Sequence, residues 1–173
     1  ARIINELLDI SKIESGKIEL KKENINLAAL IREIVFSFEQ QLKNANLELS
    51  FKLPEKEIFI YIDKDKITQV FVNLISNAIK FTKNGFIEIS VFEKEEEIVC
   101  AVKDTGIGIS DENFPKLFDK FHQFGRAIGA GAKGTGLGLA IVKGIIKLHN
   151  GDIWVESKLG EGAKFSFTLS KLK

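Results

Sequence analysis

Apolar and polar positions alternate along this chain with two different periods, and the change from one to the other marks out the elements. Ile3, Leu7 and Ile10, with Ile4 and Leu8 beside them, form a helical stripe over residues 1–16 that ends at Gly16. The stripe has little of its own chain to pack on and implies a partner helix, although folding back on the domain would also bury it. Lys17–Glu23 alternates charged and apolar residues, as a short edge strand does. Asn26 is placed to cap a helix reaching about Lys43, carrying Leu27, Leu30, Ile31, Ile34, Val35 and Phe38 at helical spacing. Strands are predicted at Asn46–Leu53 and Ile58–Ile62. Asp63 or Asp65 caps a third periodic helix, DKDKITQVFVNLISNAIKFT.

A predicted hairpin, Gly85–Glu93 and Ile98–Lys103, turns at an acidic, solvated tip. From Asp104 to Gly136 periodicity lapses apart from a short helix at FPKLFDKF, and a loop of that length usually serves a function. Helical spacing resumes from about Leu137 to His149 and stops at Asn150-Gly151. Strands Asp152–Ser157 and Ala163–Leu169 finish the chain. This order predicts an α+β domain, one sheet with helices against one face.

Composition narrows the function. The 173 residues are 45% hydrophobic, enough for one domain with an appendage. Lys and Arg number 25 against 24 Asp and Glu, a net charge of +1 that gives no electrostatic footprint for nucleic acid. One Cys and two His exclude a disulfide framework and any multi-Cys zinc site. No apolar run approaches the ~20 residues of a membrane span. With Ala1 first and no Met, the chain reads as part of something longer.

Three constellations carry chemistry. Asn73, Asn77 and Lys80 fall within an arc of about 60° on the third helix. Glu and Lys make better helix surfaces than Asn, whereas amide oxygens can coordinate Mg²⁺ and an ammonium can meet a phosphate. Second, DTGIGI (Asp104–Ile109) follows an apolar strand. Gly106 and Gly108 allow a sharp bend and a close backbone approach, and an Asp there can accept from an exocyclic amine. Third, GAGAKGTGLGLAIV (Gly129–Val142) leads glycines and Lys133 into an apolar helix, whose N-terminus suits an anion. It is neither a Walker loop nor a dinucleotide fingerprint in context.

Taken together, NLISNAIKFT, DTGIGI, FPKLFDKF and GTGLGLAI resemble, in that order, the ATP-binding domain of sensor histidine kinases. That domain belongs to the superfamily shared with DNA gyrase, Hsp90 and MutL, and the resemblance covers roughly Leu20–Leu169. NELLDISKIESGKIEL resembles the end of the dimerisation and phosphoacceptor helix that precedes it. The resemblance implies a Bergerat-type ATP-binding fold: a two-layer α/β sandwich whose mixed, mostly antiparallel sheet has helices on one face. It also implies a division into 1–17, the end of the dimerisation helix, and 18–173, the catalytic domain.

By the same resemblance, Asn77 holds Mg²⁺, Asn73 lies alongside and Lys80 is near the phosphates of ATP. Asp104 reads the adenine amine, and Gly106, Gly108 and Ile109 shape the base pocket. Residues from about Ser110 to Lys133 form a lid anchored by Phe118 and Phe121. Lys133, Gly134, Thr135, Gly136, Leu137 and Gly138 line the triphosphate. In gyrase-like relatives a Glu four residues before the metal-binding Asn acts as base for water; Asn73 cannot. The Arg that many of these kinases carry soon after the F box is displaced here, leaving Arg126 or Lys133 for the γ-phosphate. Implied partners are the chain's own phosphoacceptor domain, a response regulator receiver domain and a second copy in a homodimer. No nucleic acid or membrane contact is expected of this cytoplasmic portion, though the whole protein can be membrane-anchored. A gyrase-type hydrolase and a non-transferring regulatory module are the alternatives. His149 reads as a helix-end cap, His122 as a lid residue and Cys100 as core; neither histidine sits in an acceptor motif.

Overall fold

The computed structural model describes residues 2–123 and 134–172. Its elements are α1 (Arg2–Glu14), β1 (Lys22–Asn26), α2 (Leu27–Phe36), α3 (Glu39–Ala45), β2 (Leu47–Lys52), β3 (Phe59–Asp63) and α4 (Lys64–Phe81). There follow β4 (Gly85–Glu93), β5 (Glu97–Asp104), α5 (Gly138–Leu148), β6 (Ile153–Ser157) and β7 (Ala163–Ser170).

Five strands form a sheet in the order β2-β4-β5-β7-β6, with β2 and β4 parallel and every other pair antiparallel. Strand alternation turns Ile87, Ile89, Ile98, Cys100, Val102, Phe165, Phe167 and Leu169 to one buried face, where α2, α4 and α5 contribute Ile31, Ile67, Phe71, Ile75, Ile141 and Ile145. Phe71 of α4 meets Phe167 of β7 edge to face, ring centroids 5.4 Å apart. The two-layer, mostly antiparallel α+β reading is correct, and Cys100 is core. A second sheet was not anticipated: β1 and β3 pair antiparallel by themselves.

Three local expectations are corrected. The first edge strand is Lys22–Asn26 rather than Lys17–Glu23, because a strand needs a ladder partner and β3 ends at Asp63, opposite Lys22. The helix from Asn26 divides at Ser37-Phe38. There the Ser37 hydroxyl donates to the Ile34 carbonyl at 2.5 Å, and buried Phe38 precedes the separate α3. FPKLFDKF is no α-helix: a 3-10 turn spans Asp111–Lys116 instead, with Pro115 inside it lacking an amide hydrogen.

Asp63 settles the choice of α4 cap, its Oδ1 accepting from the Lys66 amide at 3.0 Å. Its other oxygen accepts from the Lys21 amide at 2.9 Å, and its own N–H donates to His149 Nε2 at 3.1 Å. His149 does close α5, but as a buried neutral ring: Nε2 accepts, so Nδ1 donates to the Ile145 carbonyl at 2.9 Å. One imidazole thereby ties the end of α5 to the start of α4.

The stripe on α1 splits. Glu6 and Ile10 are buried and Ile13 is half-buried, while Ile3, Ile4, Leu7 and Leu8 remain exposed. The helix lies on α5, where a methyl group at Gly144 would come within 2.7 Å of Ile13 Cγ2. Asp9 fixes the other flank through Gln69 (2.8 Å) and Lys66 (3.5 Å) of α4.

Candidate functional site

Where α4 crosses β5 and β7, a recess opens whose walls are Leu74, Asn77, Ala78 and Phe81 from the helix and Val102, Asp104 and Phe165 from the sheet. Ile107–Ile109 close one side, and with its mouth the recess holds about 420 Å³ of atom-free space. Its lining is apolar apart from Asn77 and Asp104. Asp104 is buried because it is the last residue of β5 on the core side of the strand. Burial pushes its carboxyl above the ordinary carboxylate range, and hydrogen bonds from the Gly106 and Ala163 amides oppose that shift. The Gly106 bond measures 2.8 Å. Buried Thr82 Oγ1 stands beside them, near enough to favour the ionised carboxylate without closing a full hydrogen bond.

The turn after Asp104 needs its glycines for packing as much as for a ligand. A methyl at Gly106 would lie 2.3 Å from the Phe81 carbonyl, and Gly108, at φ +70°, would strike the Lys158 carbonyl at 2.1 Å. Ile109 is buried and its amide donates to Ser157 Oγ at 2.9 Å. Gly162, which sequence reasoning passed over, sits at φ +84° with room for no side chain: a methyl would be 2.1 Å from the Asp104 carbonyl oxygen. Its neighbour Ala163, together with Ile107 and Phe165, was missed because small and apolar residues carry no chemical signature of their own.

Beyond Asn77 the polar stripe of α4 meets the start of α5. A methyl at Gly138 would lie 3.2 Å from Asn73 Oδ1, and one at Gly134 2.9 Å from Lys80 Nζ. Leu137 is wholly buried and begins α5, which has no side-chain cap, so its first-turn amides remain available to an anion. Thr135 Oγ1 accepts from the Leu137 amide at 3.2 Å. Gly136 adopts φ +73°, with its carbonyl accepting from the Phe121 amide at 2.9 Å. Burial lowers the Lys80 ammonium, and the charge of Arg2 lowers it further.

The structure therefore brings together Asn73, Asn77, Lys80, Asp104, Gly106, Gly108, Ile109 and the segment Gly134–Gly138. Phe121 joins the site through its backbone only: its amide holds Gly136 while the residue is 62% exposed and outside the recess, and Leu117 and Phe118 are the residues of that stretch packed into the core. Arg126 and Lys133, the two cations expected near the γ-phosphate, lie outside the described residues, as do Gly129 and Gly131. Among the described residues no helix is long and apolar enough to cross a membrane.

Residues 62–173 match the family model described as histidine kinase-, DNA gyrase B- and HSP90-like ATPase. Sensor histidine kinase WalK of Bacillus subtilis is 40% identical over 171 residues, covering 97% of this chain and 28% of that protein. The chain thus spans under a third of that relative's length. Full-length ShkA in complex with AMPPNP superposes with a TM-score of 0.87 at 25% identity, covering 97% of this chain and 35% of that one. Histidine kinase ThkA, solved in complex with response regulator protein TrrA, gives 0.74 at 30% identity, covering 97% of this chain and 49% of that one. The chain belongs to the histidine kinase-, gyrase B- and HSP90-like ATPase family.

Proposed function

We propose that this chain is the ATP-binding catalytic portion of a sensor histidine kinase, presenting the γ-phosphate of Mg-ATP to a histidine on an upstream phosphoacceptor domain. One observation carries the reading. A single helix, α4, lends Asn77 to the recess that contains Asp104 and turns Asn73 and Lys80 to the glycine segment Gly134–Gly138. An apolar slot with one buried carboxylate suits a purine bearing an amino group. A cation and open helix amides a few residues away suit its phosphates.

The division of labour follows from the residues. Asp104 accepts from the adenine amine and fixes the base; rejecting a base without that donor is worth ~10⁴-fold. Lys80 and the α5 amides draw the phosphates along the α4 stripe. Asn77 is the residue that fits Mg²⁺, an oxygen donor beside the phosphate path. Mg²⁺ commonly keeps several waters and is held by one or two protein oxygens together with substrate phosphates. Bound there, Mg²⁺ would neutralise phosphate charge. Asn73 stands beside the α5 start as a neutral amide, which takes no proton from water, so this geometry favours transfer over hydrolysis. Catalysis then rests on positioning and charge neutralisation.

Helix α1, on this reading, is the end of the dimerisation helix, with residues 18–173 as the catalytic domain. Its exposed Ile3, Ile4, Leu7 and Leu8 are the surface that a homodimer would cover. A response regulator receiver domain takes the phosphoryl group next, as the ThkA complex with TrrA suggests by analogy. The test supplies the upstream helix carrying the acceptor histidine, with γ-labelled ATP and Mg²⁺. Acid-labile, base-stable label on that histidine is expected. Tight ATP binding with no label would overturn the transferase reading in favour of a regulatory module.

A further inference from the structure

Glu6 is an unexpected residue to find where it sits. Helix α1 turns Ile10 and Ile13 to the domain, and one turn earlier the same face presents a carboxylate only 9% exposed. Taking a carboxylate out of water is costly unless its oxygens are satisfied. Here both are: Oε1 accepts from Arg2 Nε at 2.9 Å, and Oε2 accepts from the Thr135 hydroxyl. That hydroxyl is the one receiving the Leu137 amide at 3.2 Å, at the start of α5. Arg2 in turn is close enough to Lys80 for its charge to depress that ammonium. Glu6 is therefore held between a hydroxyl and a guanidinium, the kind of partners a phosphate oxygen would seek.

We infer that Glu6 acts as a resident anion at the phosphate end of the site, competing with a nucleotide's phosphates for Thr135 and Arg2. This rests on the ATP-binding reading above and adds a regulator to it. A carboxylate and a phosphate cannot share those partners without like-charge cost, so seating α1 weakens ATP. By linkage, ATP loosens α1 to the same degree. Glu6 is not among the residues that line the base recess. Adenosine, which has the base and no phosphate, is indifferent to the competition.

The experiment is calorimetric titration of this 173-residue chain with Mg-ATP and, separately, with adenosine. Glu6→Gln keeps the shape and an acceptor for Thr135 while removing the charge. It should tighten ATP about fivefold to tenfold, a coupling of ordinary size, and leave adenosine unchanged. Glu6→Ala should move ATP in the same direction. Asp9→Asn removes an equal charge from the same helix at a position paired with Gln69 and Lys66, and should leave ATP unchanged. Weaker or unaltered ATP binding in Glu6→Gln overturns the inference while leaving the ATP reading intact. So does an equal shift for adenosine, or the same gain from Asp9→Asn. Failure of the unaltered chain to bind ATP at all overturns both.

Discussion

The two ends of the site are built from different materials. The base end is framed by regular structure: α4, β5, β7 and a turn held by Gly106, Gly108 and Gly162, each packed so closely that no side chain would fit. Its one ionisable group, Asp104, is buried and tied by backbone amides. The phosphate end has α4 and the start of α5 as its regular elements, and otherwise depends on the segment before α5 and on a helix, α1, from the far end of the chain. Rigid, desolvated polar groups discriminate between ligands because a mismatch leaves them unpaired. Loops and docked helices adjust, at the cost of discrimination, and so can be regulated. Recognition and control thus fall to different neighbours of the same stretch of α4, the sheet on one side and the glycine segment with α1 on the other.

The largest effect expected from that division is at Asp104. Asp104→Asn exchanges an acceptor-only carboxylate for an amide that also donates, and the preference for ATP over GTP should fall from ~10⁴-fold toward parity. Competition titrations with the two nucleotides read it directly. If the unaltered chain already binds ATP and GTP equally, the base end does not discriminate and the contrast fails at its first step. Lys80→Ala is the complementary cut. Losing a charge-assisted contact of about 1.5–3 kcal/mol should weaken ATP roughly 10- to 100-fold. Adenosine should bind as before. A parallel loss for adenosine would mean that the two ends are one cooperative unit.

Much of this was legible before any coordinates, and unevenly so. Asn73, Asn77, Lys80 and Asp104 stood out because polar side chains on apolar elements violate the local pattern and ask for a reason. The sheet faces were legible from alternation in β4, β5 and β7. What stayed hidden depends on pairing across the chain. Lys17–Lys21 alternates as a strand does but lies before the ladder, which pairs Lys22–Asn26 with Phe59–Asp63 as a separate ribbon. Glu6 and Thr135 are 129 positions apart, and neither is unusual alone. The pattern on α1 pointed to its leucines and isoleucines, so the one carboxylate that reaches the site passed unremarked.

A smaller effect is expected where α1 meets α5. Gly144→Ala places a methyl 2.7 Å from the β-branched Ile13, a clash of about 1–3 kcal/mol, while alanine gains about 1 kcal/mol of helix propensity in α5. The two act on different elements. Amide exchange should therefore speed up in α1 and hold or slow in α5, with adenosine affinity unaltered. Uniform protection in both helices would show that α1 is not seated through that notch. Slower α5 exchange combined with weaker adenosine binding would show that the base end feels α1 after all.

The smallest effect should fall on both ends alike, and so tests whether they share a foundation. His149 is buried between the end of α5 and the N-cap of α4, accepting from the Asp63 amide and donating to Ile145. Burial holds its pKa below the ordinary value of 6.5; Lys22 adds to that shift, while the Ile145 carbonyl and the Asp63 carboxylate oppose it. The unfolded chain therefore takes up the proton first as pH falls. Stability from this group is complete above about pH 6.5 and is lost as pH drops through that value toward the folded-state pKa. Between pH 7.5 and 5 the thermal midpoint should decline, and His149→Gln, which cannot titrate, should flatten part of that slope. ATP and adenosine should weaken together over the same range, because protonation unfastens α4 and α5 from one another rather than touching either end. A slope unchanged by His149→Gln would place the acid sensitivity elsewhere. Loss of ATP alone would return it to the phosphate end, where the Glu6 carboxylate and the phosphates compete.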